Sequence, residues 1–131
     1  MGKPLLLIVD DEPDLGEFVQ DVAESSGFEV KLASSAKQLM DFWSSEGASA
    51  IAMDIVMPDM DGIELIGWLA KQECAAPIIV MSGYEGRYSG SASALGRAGG
   101  INIIGTLAKP FGAEELEMLL DLALRRRHLN G

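Results

Sequence analysis

Five polar side chains stand out because each ends or follows a short apolar run. Asp10 and Asp11 follow Leu5–Val9, Asp54 follows Ala50–Met53, Ser82 follows Pro77–Met81, and Lys109 comes shortly after Ile101–Leu107. If the runs are strands of one sheet, the five share one edge. Three crowded carboxylates repel one another, which raises at least one pKa unless a cation joins them. A hard divalent ion meets that demand, and Mg²⁺ takes one or two carboxylates together with waters and phosphate oxygens. A lysine and a hydroxyl nearby make a phosphate cradle: the ammonium neutralises an oxygen and the hydroxyl donates a hydrogen bond. The remaining carboxylate is then a nucleophile that can form an aspartyl phosphate, in a transfer driven by positioning and charge neutralisation.

The rest of the chain supplies elements able to hold these residues. Leu5–Val9 and Ile78–Met81 are continuous apolar runs, as strands covered on both faces require. Glu29–Ala33 alternates and reads as an edge strand. Leu15, Phe18, Val19, Val22 and Ala23 repeat with helical spacing, as do Ala36, Leu39, Met40 and Trp43. Gly62, Leu65, Ile66 and Leu69 give a third stripe, and Leu116, Leu119, Leu120, Ala123 and Leu124 the clearest one. Pro13 suits a first helical turn and Gly27 a helix stop. The interval from Gly83 to Gly100 holds six glycines, and only Ala94, Leu95 and Ala98 suggest a helix there. Five β/α units with right-handed crossovers predict a doubly wound parallel α/β sheet. Ligands of such sheets bind beyond the carboxyl ends of the strands.

Taken singly, each residue has an ordinary role. Asp10-Asp11 could cap a helix, Asp54 a turn, Ser82 could close a strand, and Lys109 could be solvated. Their order carries more. Val9-Asp10-Asp11-Glu12-Pro13, Met53-Asp54-Ile55-Val56-Met57-Pro58-Asp59-Met60-Asp61-Gly62, Met81-Ser82-Gly83 and Ala108-Lys109-Pro110-Phe111 resemble the receiver domain of bacterial two-component response regulators. The resemblance implies a flavodoxin-like strand order 2-1-3-4-5. It implies Asp54 as phosphoacceptor, with Asp11 and the Val56 backbone carbonyl holding Mg²⁺ and Asp10 acting largely through water. It places Ser82 and Lys109 on the phosphoryl group, makes the Lys109–Pro110 bond cis, and names a histidine kinase or phosphotransfer protein as donor. Residues 1–124 are then the receiver, and 125–131 a basic tail or the start of a linker to an output domain.

The chain departs from that family at Thr106, where most receivers carry an aromatic residue three positions before the lysine. Thr106 suits a strand, but it cannot be an aromatic rotamer switch. The interval from Ser82 to Lys109 is also long. Its Leu95–Pro110 portion resembles receivers fused to EAL-type cyclic-di-GMP phosphodiesterase domains, which would make the chain one module of a longer protein. Val56 and Tyr84 flank the site and would tune water access.

Composition narrows the remaining choices. The 131 residues carry 10 Lys plus Arg against 20 Asp plus Glu, a net charge of −10 that opposes nucleic-acid binding. One domain of this size with 48% hydrophobic residues is globular, and no run is long enough for a membrane span. Lone Cys74 fits a reducing cytoplasm and a packing or surface role. His128 reads as part of a solvated terminus, Trp43 and Trp68 as packing residues, and Arg125–Arg127 as a complement to a helix C-terminus. Met118 and Leu122 extend the apolar surface of the last helix, which leaves self-association through the last two β/α units open. A degenerate receiver that acts only by binding partners is the alternative reading. A Mg²⁺-dependent phosphohydrolase is disfavoured, because Val56 stands where such enzymes of the haloacid-dehalogenase type carry a second acid. A flavin module is disfavoured because Asp10-Asp11-Glu12 would repel its phosphate. The domain is thus expected to be a switch, not a turning-over enzyme.

Overall fold

The five apolar runs pair as parallel strands: β1 (Leu5–Val9), β2 (Glu29–Ala33), β3 (Ala50–Asp54), β4 (Ile78–Ser82) and β5 (Ile103–Ala108). The computed structural model describes residues 3–46, 48–55, 62–82 and 100–130, giving only the backbone at 44–46 and 126–130. Four helices are described: α1 (Pro13–Ser25), α2 (Ala36–Glu46), α3 (Gly62–Lys71) and α4 (Ala113–Asn130). The strand order is β2-β1-β3-β4-β5, the doubly wound, flavodoxin-like arrangement. Alternating β2 lies at an edge, as its pattern predicts. The helix expected between Gly83 and Gly100 lies outside the described residues, as do Val56, the Met57–Asp61 part of the motif, and Tyr84. Among the described residues no helix is long and apolar enough to cross a membrane.

Period-two alternation along the strands feeds two cores. Leu7, Val9, Ile51, Met53, Ile78 and Val80 pack with α2 and α3 on one face. Leu6, Ile8, Ala50, Ala52, Ile79 and Met81 pack with α1 and α4 on the other. Burying each of the larger aliphatic side chains contributes about 1.5–3 kcal/mol, so the central strands anchor the sheet. The α3 stripe is buried as read from the sequence, and Trp43 and Trp68 are partly buried against the same core. Cys74 is buried too, and burial pushes its thiol pKa up, as suits a packing residue.

Local chemistry explains the element ends. Pro13 opens α1, and Gly27 follows it at φ 97°, a left-handed conformation that glycine adopts without a Cβ clash. β4 starts one residue after Pro77, which has no N–H to donate to a ladder. β5 starts two residues after Ile101; Ile101 is buried without being a strand residue, so its apolarity marks burial and not pairing. The β4–β5 register passes from Ile78↔Ile103 to Ile79↔Gly105, leaving Ile104 as a bulge. A Cβ at Gly105 would meet Leu119 Cδ2 at 2.5 Å, so this glycine lets α4 lie close to β5. α4 continues through Arg125 to Asn130, so the expected basic tail is helical over that range, and Arg125 pairs with Asp121 at 2.9 Å.

Candidate functional site

Strand register builds the site. One step beyond the Val9↔Met53 pair, Asp10 and Asp54 come side by side at the carboxyl end of the sheet. The Asp10 N–H donates to Ala33 O at 3.1 Å, so sheet pairing continues through this residue. Asp54 pairs with Met81, and the Ile55 N–H donates to Met81 O at 3.0 Å. On the next strand the Lys109 N–H donates to Ser82 O at 2.8 Å, bringing the backbones of these two residues together. The following Lys109–Pro110 bond is cis, as the resemblance implied. Asp10, Asp54 and Ser82 are the buried polar residues among those described, at 3%, 3% and 2% exposure.

The Lys109 ammonium ties the acids together. Its Nζ lies 2.8 Å from Asp54 Oδ2, 3.3 Å from Glu12 Oε1 and 3.4 Å from Asp10 Oδ2. Burial alone would lower the Lys109 pKa; the hydrogen bond from its ammonium to Asp54 and the Asp10 and Asp54 charges outweigh that and push it above its ordinary value. Asp10 moves up as well. Burial dominates, and neither the Glu12 N–H nor the Lys109 charge fully offsets it. The backbone N–H of Glu12 donates to Asp10 Oδ1 at 2.8 Å, while Oδ2 is buried and makes no hydrogen bond. At 3.4 Å, Oδ2 feels the lysine's charge without an aligned donor.

The expected site residues are not all brought together. Asp10, Asp54 and Lys109 converge, and Ser82 reaches the same sheet end beside Lys109. Asp11 is exposed and lies outside the cluster. Its neighbour Glu12 is inside: oxygens of Asp10, Glu12 and Asp54 lie within 4.8 Å of one another. The α1 N-cap is Glu12, without a side-chain cap bond, so capping does not explain Asp10 or Asp11. Only the acidity of the third loop residue could have pointed to Glu12. The donor set suits a hard cation, being all oxygen. Among the described residues, one ammonium faces three carboxylates, an acid-rich setting that suits a divalent ion.

An α/β sheet carrying a buried acid pair and a lysine at its carboxyl end fits a phosphoryl-accepting site, and comparison with known proteins gives the class. The sequence matches the response regulator receiver domain over residues 6–121, and the chain belongs to that family. It is 26% identical over 124 residues to the transcriptional regulatory protein FixJ of Bradyrhizobium diazoefficiens, covering 95% of this chain and 58% of that one. It is 31% identical over 121 residues to the response regulator MprA of Mycolicibacterium vanbaalenii, covering 92% and 50%. The chain thus spans about half the length of these curated relatives. The solved receiver domain of Francisella response regulator 1452 superposes with a TM-score of 0.81 at 25% identity, covering 94% of this chain and 98% of that one.

Proposed function

We propose that the chain takes a phosphoryl group from a histidine kinase or phosphotransfer protein onto Asp54, with Mg²⁺, and thereby switches an output module or partner. The observation that carries this reading is the buried Asp54 carboxylate held 2.8 Å from Lys109 Nζ, beside the Asp10 oxygen that lacks a hydrogen bond. In the transfer, an Asp54 oxygen forms a bond to phosphorus while the bond from phosphorus to the donor's imidazole nitrogen breaks. Lys109 neutralises charge on the phosphoryl oxygens, and Ser82 donates a hydrogen bond to one of them. Asp11, Asp54 and the Val56 carbonyl would hold the metal, with Asp10 acting largely through water, as the family resemblance implies. When bound, Mg²⁺ would supply charge neutralisation at the transferred group.

Moving a population from 1:99 to 99:1 needs about 5.5 kcal/mol of differential stabilisation. A hydrogen bond from Ser82 to a charged group supplies about 1.5–3 kcal/mol. Lys109 must contribute, as must contact with an output module or a second copy. The resemblance of Leu95–Pro110 to EAL-linked receivers makes a cyclic-di-GMP phosphodiesterase module our proposed output; the sequence of the complete gene product tests it. Cytoplasmic placement is part of the same reading.

Incubation with acetyl phosphate and Mg²⁺ should add the mass of one phosphoryl group to the intact chain. Asp54→Asn should abolish the adduct, and chelating the metal should suppress it. A wild type that takes up neither phosphoryl nor beryllofluoride would instead be a partner-binding module.

A further inference from the structure

We propose that Glu12 is an exchange ligand. It holds the Lys109 ammonium when the site lacks a divalent ion, and turns to the ion when one enters. The inference rests on the cation reading above and assigns a task that the acidic pair Asp10-Asp11 does not cover. Three observations carry it. The Glu12 backbone N–H occupies Asp10 Oδ1 at 2.8 Å, which fixes that carboxylate and leaves Oδ2 buried without a hydrogen bond. The Glu12 side chain reaches back over the same point, with Oε1 3.3 Å from Lys109 Nζ. Its carboxylate also lies in the group with Asp10 and Asp54, the oxygens within 4.8 Å of one another, whereas Asp11 lies outside it.

The three acids differ in freedom. Asp10 and Asp54 have side chains 0% and 5% exposed, fixed at strand ends, while that of Glu12 is 63% exposed. A long, solvated carboxylate can change partners at little cost in desolvation; a buried one cannot. A divalent ion attracted to Asp10 and Asp54 would compete with Lys109 for the same oxygens, and Glu12 is the member able to move with either cation. Releasing Lys109 from Glu12 also frees an ammonium donor for an incoming phosphoryl oxygen.

The test is a calorimetric Mn²⁺ titration of the 131-residue chain, without phosphodonor. Glu12→Gln should weaken Mn²⁺ binding about tenfold, the scale of losing an oriented partner around a metal. Asp14→Asn, an exposed acid in the first turn of α1, controls for general charge and should shift binding less than twofold. The loss caused by Glu12→Gln should grow in a Lys109→Met background, where the glutamate serves the ion alone. A Glu12→Gln titration matching wild type or Asp14→Asn, or an equal loss in both backgrounds, would overturn the exchange. If Asp10→Asn still weakened binding in that case, the cation reading would survive. A wild type that bound no Mn²⁺ would remove that reading and this inference with it.

Discussion

The two ends of the sheet carry ionisable groups in very different states. At the amino end, Lys3, Leu5, Glu24, Phe28, Glu29, Val30 and Lys31 line an open hollow of about 520 Å³. Its charges number two lysines against two glutamates; Lys3, Glu24 and Glu29 are exposed and Lys31 is half-buried. At the carboxyl end one lysine faces three acids, two of them buried. The amino end has space without electrostatic demand. The carboxyl end, among the described residues, has an excess of acid that cation chemistry can satisfy. Buried imbalance, more than the size of a hollow, marks the working end.

The largest effect expected tests that contrast directly. Asp54→Asn should abolish the phosphoryl adduct in intact-mass measurements, whereas Lys3→Gln with Lys31→Gln should leave it unchanged; equal losses would erase the distinction. Next comes the cation. At a Mg²⁺ concentration a hundred times its dissociation constant, the wild type should gain about 2.7 kcal/mol in denaturant melts. The gain should be small in Asp10→Asn and intact in the lysine double variant.

Packing near the site gives a somewhat smaller expected effect. A Cβ at Gly62 would lie 2.6 Å from the backbone Cα of Ile55, the residue after Asp54. Backbone cannot step aside as a side chain can, so Gly62→Ala should cost about 1–3 kcal/mol. Gly67, later in α3, has nothing within 4 Å of such a Cβ, and Gly67→Ala should stabilise by about 0.5–1 kcal/mol. Chemical denaturation of both variants would show whether opposite signs are found.

The smallest effect is the pH dependence of the metal-free fold. Because the folded Asp10 pKa lies above 3.8, the folded chain binds more protons than the unfolded one between 3.8 and that raised value. Stability from this group therefore rises as pH falls through the folded pKa, and the gain is complete near 3.8. Lys109 acts at the other extreme: its folded pKa lies above 10.5, so its stabilisation is present below 10.5 and lost as pH rises through the folded value. Melting temperatures of wild type and Asp10→Asn between pH 7 and pH 4 should converge on acidification. A constant gap would count against the burial of Asp10.

Sequence made most of this end visible because strand ends are easy to locate. Continuous runs ending at Asp10, Asp54 and Ser82 fix where those residues emerge, and parallel pairing does the rest. Glu12 was not legible. Residue type and spacing do not encode side-chain direction in a turn, and here the Glu12 N–H bonds Asp10 Oδ1 while its largely exposed carboxylate reaches Lys109 Nζ. The strand bounds of β4 and β5 differ by a residue or two from their apolar runs because hydrophobicity reports burial and not pairing: Pro77 has no N–H to donate, and Ile101 is buried outside the ladder.

The bulge at Ile104 gives β5 an expansion joint. Segments before and after it keep separate phases, with Ile103 facing the α2–α3 core and Leu107 the α1–α4 core. The half-strand that delivers Lys109 thus takes its register from β4 on its own side of the bulge.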